Sequence, residues 1–143
     1  MTQKAPKLPD DAVLVVPGGR GTRPLVKDAD FLVGLKDLVD SAANVLSICT
    51  GSALLAAAGV LVNVKATSNK YAFEWVTSTG DIVWIRKARW VHDGRFYTSS
   101  GVSAGIDMAL GFVADHYGLD AAKANAQKAE YIWNEDSEVD PFA

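Results

Sequence analysis

The sequence predicts an α/β layered domain with a mainly parallel sheet, and three observations carry that prediction. The apolar runs "AVLVV" at 12–16 and "NVLSI" at 44–48 are short and continuous, as strands buried on both faces are. Each run is followed by a segment whose apolar residues fall at helical spacing. With 143 residues and 49% hydrophobic content the chain has enough material for one domain with a real core. Strands alternating with helices are accommodated by helices layered on a parallel sheet.

The elements follow in order. "AVLVV" stops at Pro17, Gly18 and Gly19. Phe31, Leu32, Leu35, Leu38, Val39 and Ala42 then mark a helix, which Asp28 or Asp30 can cap. "NVLSI" is a second buried strand, and "TGSALLAAAG" at 50–59 is a helix ending at Gly59. "VKATS" at 64–68 is a third short strand, and 69–78 is helical. "DIVWIRKARWVHDGRFYTSS" at 81–100 forms a hairpin turning at "HDG". Trp84 and Trp90, six apart, share one face of a strand there, suited to core or dimer packing. Two helices follow, at about 103–117 and 120–133, and the acidic "NEDSEVD" is a solvated surface.

Composition narrows the function. A net charge of −3 without a Lys/Arg cluster gives no electrostatic footprint for nucleic acid or an anionic membrane. The single cysteine cannot form an internal disulfide. No apolar stretch approaches the roughly 20 residues of a membrane span, and the N-terminus lacks an apolar leader core. The expectation is a soluble, cytoplasmic protein.

In parallel sheets ligands bind beyond the carboxyl ends of the strands, so "VVPGGRGT", "LSICTGS" and "YTSSGVSAGID" are the informative stretches. Cys49 stands between a strand and the first turn of a helix, where unpaired N–H groups and the helix dipole favour a thiolate over the ordinary thiol of pKa about 8.5. This is the logic of a nucleophile elbow. A small hydrophobe buried after a strand fits the same position. The glycines of "PGGRG" leave backbone N–H groups unobstructed, so Gly18, Gly19 and the Thr50 N–H can form an oxyanion hole, although Gly-Gly also serves turns for backbone freedom alone. As a phosphate-binding fingerprint the run is poor, lacking both G-x-G-x-x-G spacing and a P-loop lysine.

Taken in order, "VLVVPGGRGTRPLV", "SICTGSALLAAAGVL", "KATSNKYAFEWV", "TSSGVSAGIDMAL" and "AEYIWNEDSEVDPFA" resemble the ThiJ/PfpI superfamily, specifically its isonitrile hydratase-like branch. The resemblance runs from about Lys7 onward. It implies a flavodoxin-like three-layer sandwich, a Cys-Thr elbow, commonly a homodimer, and neither metal nor organic cofactor. Cys49 is then the nucleophile and Thr50 its elbow partner, with Gly19 and the Thr50 backbone as donors. The implied reaction is hydration of a small-molecule substrate, a carbon–nitrogen electrophile, to an N-substituted formamide.

The departures from the resemblance matter equally. Members of the superfamily begin with a segment holding the first strand, the first helix and further strands, and an Asp or Glu near the nucleophile; "KAPKLPDDAVLVVPGG" corresponds to their middle. A shortened chain, or a natural short form with impaired chemistry, is expected. It should self-associate through the edge left on "AVLVV". Where some relatives place a histidine, this chain has Thr67, Ser68 and Asn69, and Asn69 hydrogen-bonds but shuttles no proton. His92 falls in the hairpin turn and His116 near a helix end. Ser100, Ser103 and Asp107 follow a strand, with Ser103 and Asp107 as possible support for the site, Asp107 tying helix to loop. The competing readings are a non-catalytic ligand-binding or regulatory domain of the same fold, and a redox or carbonyl-stress protein.

Overall fold

The computed structural model describes residues 5–143. Six strands and six helices alternate in it: β1 Val13–Val16, α1 Thr22–Leu25, α2 Ala29–Ser41, β2 Asn44–Ser47, α3 Gly51–Ala57, β3 Lys65–Ala66, α4 Phe73–Thr77, β4 Val83–Trp84, β5 Trp90–Asp93, β6 Phe96–Ser99, α5 Ala104–Tyr117 and α6 Leu119–Lys128. Among the described residues the main sheet has the order β1-β2-β6-β5. β1, β2 and β6 run parallel, and β5 joins as the antiparallel arm of a hairpin. The mainly parallel α/β sheet is the class that the alternation of elements predicts.

β2 shows why its sequence has no polar alternation. Val45 points into one core, with Val39, Leu55 and Leu61, while Leu46 points into the other, with Trp90, Tyr97 and Met108. Both faces are covered by helices, so every position must be apolar or hydrogen-bonded. β1 differs from expectation. Leu14 and Val16 pack inward, but Val13 is 41% and Val15 52% exposed, because β1 is the sheet's edge and one of its faces carries no helix. Around this edge lies an open apolar cavity of about 580 Å³ with Leu14, Val15, Phe31, Leu35 and Leu38 among its walls.

Caps set several boundaries. Asp28 is the N-cap of α2, its carboxylate accepting the Phe31 N–H at 3.0 Å, which satisfies one orphan donor of the first turn. α3 ends in a Schellman closure: the Gly59 N–H donates to Ala56 and the Val60 N–H to Leu55, with Gly59 at φ 74°.

The structure corrects four further sequence-based expectations. The stretch 81–100 is not one hairpin: Val83–Trp84 pairs in parallel with β3 in a separate two-stranded sheet, and only β5 and β6 form the hairpin. Trp84 and Trp90 therefore lie in different sheets, Trp84 against Phe73 and Trp90 in the core under Met108. The helix expected over 69–78 begins only at Phe73, since Asn69 turns back to cap Ala72. The acidic tail is not wholly solvated: Asp140 is 5% exposed.

Candidate functional site

Cys49 lies one residue beyond Ile48, between β2 and α3, with φ 58°. Left-handed backbone is uncommon outside glycine and costs on the order of 1–3 kcal/mol, so the surroundings must impose it. They do so through both peptide groups. The Cys49 N–H donates to the Ser100 carbonyl at 3.1 Å. Its own carbonyl accepts the Ser68 hydroxyl at 2.8 Å and the Ser52 hydroxyl at 3.2 Å.

The "PGG" loop closes on this turn, and glycine is a steric necessity there. A Cβ on Gly18 would stand 2.7 Å from the Thr50 nitrogen and 2.9 Å from the Cys49 Cβ. One on Gly51 would overlap the Val16 carbonyl. Glycine at both positions lets the loop after β1 lie directly on the elbow.

Thr50, 8% exposed, ties the two together. Its hydroxyl accepts the Gly19 N–H at 3.0 Å and lies 3.2 Å from the Thr22 hydroxyl, which itself donates to the Gly19 carbonyl at 2.7 Å. The Gly19 N–H, a donor expected to face a substrate oxyanion, is thus engaged by Thr50. The Thr50 N–H donates to no group among the described residues. The Gly18 N–H, the other donor expected there, likewise donates to no group among the described residues.

The other expected site residues divide. Asn69 is half-buried, its Oδ1 accepting the Ala72 N–H at 2.9 Å, and a Cβ on Gly101 would stand 3.1 Å from its Nδ2. It therefore lies beside the Ser100–Gly101 turn that holds the Cys49 N–H. Ser103 is exposed and offers its carbonyl to the Tyr131 hydroxyl at 3.5 Å. Asp107 is fully buried: Arg89 donates to it at 2.7 Å, and the Tyr131 hydroxyl and Asn134 N–H each reach it at 3.0 Å. These bonds tie helix α5 to the segment after α6. Neither histidine joins the group around Cys49. His92 stacks on Tyr97 with ring centroids 4.0 Å apart and lies 3.4 Å from the Asp115 carboxylate, and His116 packs on Phe112 at 4.2 Å. Burial, and then the hydrogen bond to Asp115, push the Tyr97 phenol up from its ordinary range.

Four residues at or beside this site escape sequence reasoning: Thr22, Lys70, Arg89 and Asp140. Lys70 is 8% exposed, its ammonium donating to the Ala88 carbonyl at 2.8 Å, the Thr67 hydroxyl at 2.9 Å and the Ser68 carbonyl at 3.1 Å. Desolvation pulls its pKa down despite the Asp140 charge 3.5 Å away. For Asp140 burial pushes upward, but hydrogen bonds from Ser100 and the Phe142 N–H, with the charges of Lys70 and Arg89, hold it below the usual carboxylate value. A charged residue in "ATSNK" or "NEDSEVDP" carries no local sign of burial; only the fold brings the two together.

Among the described residues no three His, Cys, Asp or Glu side chains gather where they could hold a metal ion, and no helix is long and apolar enough to cross a membrane.

Comparison with known proteins places this geometry. Residues 5–115 match the model of the DJ-1/PfpI family. The chain belongs to the DJ-1/PfpI family. An isonitrile hydratase of Pseudomonas putida is 37% identical over 119 residues, which are 83% of this chain and 51% of that protein. The crystal structure of a ThiJ/PfpI family protein from Pseudomonas syringae superposes with a TM-score of 0.76 at 35% identity, over 88% of this chain and 52% of the other. Drosophila melanogaster DJ-1beta shares the fold at a TM-score of 0.70 and 20% identity, over 85% of this chain and 64% of its own. The chain therefore spans about half the length of the relatives nearest to it in sequence among these.

Proposed function

We propose that this protein hydrates a small carbon–nitrogen electrophile through Cys49, in the manner of an isonitrile hydratase. The observation that carries the proposal is the left-handed Cys49, pinned at both peptide groups beneath the "PGG" loop, in a chain 37% identical to isonitrile hydratase. In the proposed sequence the Cys49 thiolate adds to the terminal isonitrile carbon and that carbon takes up a proton, giving a thioimidate. Water then adds to the same carbon, the C–S bond breaks, and the N-substituted formamide leaves with the thiolate restored. The Thr50 N–H, which has no acceptor among the described residues, is the donor assigned in this proposal to the negative charge as it develops.

Proton transfer is the weak step, because no histidine or carboxylate among the described residues joins this group. Positioned proton transfer is worth about 10² to 10⁴ in rate, so slow turnover is expected. Formamide production from an alkyl isonitrile, followed for the wild type and Cys49→Ser, tests the proposal. Slow, saturable turnover confined to the wild type supports it; equal rates in the two chains contradict it.

The same missing proton donor favours a second reading, a domain that captures its ligand without turning it over. Intact-mass measurement after isonitrile exposure separates the two: a lasting adduct on Cys49 without formamide belongs to the binding domain.

A further inference from the structure

Behind the elbow lies a buried set of four charges, Lys70, Arg89, Asp107 and Asp140, drawn from four separate parts of the chain. The Asp107 and Asp140 side chains have no exposure, Lys70 has 4% and Arg89 10%. Arg89 pairs with Asp107 at 2.7 Å, while Asp140 lies between the two cations, 3.5 Å from the Lys70 ammonium and 4.0 Å from the Arg89 guanidinium. Two positive and two negative groups balance, which is what permits their burial.

Both peptide groups of Cys49 run back to this set. On the carbonyl side, Ser68 donates to Cys49, and the Ser68 carbonyl is in turn gripped by Lys70. On the N–H side, Cys49 donates to Ser100, whose own N–H donates to the Arg89 carbonyl at 2.8 Å. Asp140 is held in place by its N–H to the Lys87 carbonyl at 2.8 Å, and the neighbouring segment by the Arg89 N–H to Ser137 at 2.8 Å. The C-terminal segment thus supplies the counter-charge that keeps both arms in register. A left-handed cysteine has no intrinsic preference for its conformation, so it persists only while both arms hold.

We propose that Lys70 and Asp140, acting through Ser68, are positioning residues that hold Cys49 in its left-handed conformation, a role that rests on Cys49 being the reacting group. Neither touches the reacting atoms. Removing Lys70 takes two hydrogen bonds from the 67–68 segment and a third from the Ala88 carbonyl, and leaves Asp140 buried beside one cation fewer.

The test is amide hydrogen exchange at Cys49, read against Val45 in the centre of β2, together with iodoacetamide alkylation of the folded chain. In Lys70→Met, in the isosteric Asp140→Asn and in Ser68→Ala, Cys49 should lose protection by on the order of tenfold while Val45 falls less, and alkylation should slow alongside. Ser68→Ala combined with either charge variant should slow alkylation no further than the slower single variant, since the effects share one path. If Lys70→Met fails to fold, Asp140→Asn with Ser68→Ala completes the same cycle. A parallel loss at Cys49 and Val45, unchanged exchange at Cys49, or multiplying effects in the double variant overturns the positioning role, even where wild-type alkylation is fast. Wild-type alkylation no faster than in the unfolded chain overturns the nucleophile reading instead, whatever the exchange shows, and with it the reaction that positioning would serve.

Discussion

The Gly19 N–H donates to the Thr50 hydroxyl at 3.0 Å, joining the loop after β1 to the turn after β2 across 31 residues of sequence. Thr22, 3% exposed, completes the link from the other side. Thr50→Val keeps the shape but leaves the Gly19 N–H without its acceptor, while the Thr22 hydroxyl keeps its bond to the Gly19 carbonyl. A loss of about 1–3 kcal/mol in urea unfolding is expected, with most of it regained in Thr50→Ser. A valine variant as stable as the wild type would show that the link contributes nothing.

Close approach at Gly51 makes a second prediction with its own control. Gly51→Ala puts a methyl group onto the Val16 carbonyl, which is backbone and cannot swing aside, so about 1–3 kcal/mol should be lost. Gly34→Ala, in the interior of α2 with nothing within 4 Å of the added carbon, should gain about 0.5–1 kcal/mol. Urea midpoints compare the two; equal shifts would contradict the packing described.

Acid stability depends on Asp140. Its folded pKa lies below the ordinary 3.8, so on acidification the unfolded chain takes up the proton first. Its contribution is complete above that ordinary value and is lost as pH falls through the lowered folded one. Asp140→Asn should flatten this part of the acid limb while lowering stability at neutral pH. An acid limb of unchanged steepness in the variant would remove Asp140 from the account.

The free edge of β1 bears on assembly. Val13 and Val15 lie exposed beside an open apolar cavity of about 580 Å³, and an unpaired apolar edge invites association. Light scattering over a dilution series should show self-association that Val15→Lys weakens. A compact monomer at every concentration, with concentration-independent unfolding, would contradict this.

What the sequence revealed follows from how local its signals are. The runs that became β1 and β2, the Asp28 cap and the Gly59 stop each rest on residues within a few positions of one another, and each is where local pattern places it; the hairpin turns at Gly94–Arg95, with His92 and Asp93 of "HDG" still in β5. Cys49, Thr50 and the "PGG" loop were also legible, because a strand-to-helix turn with glycines imposes its geometry locally. The pairing of Val83–Trp84 with Lys65–Ala66 was not: strands of two residues carry no periodicity, and the hairpin pattern beside them absorbed the signal. Nor was the burial of Lys70 and Asp140, which depends on contact between residues distant in sequence. The exposure of Val13 and Val15 was hidden in the apolar run itself, which reads the same whether its second face is covered or open; only the family resemblance, which left "AVLVV" at an edge, pointed to it.

The nucleophilic role of Cys49 is tested most directly by its second-order alkylation rate with iodoacetamide, measured between about pH 5 and 9 for the folded chain, the urea-unfolded chain and Cys49→Ser. The account predicts that near neutral pH the folded chain reacts several-fold faster than the unfolded one and that Cys49→Ser takes up no label. A folded chain that reacts no faster than the unfolded one would contradict it, and would make Cys49 a small side chain at a tight turn.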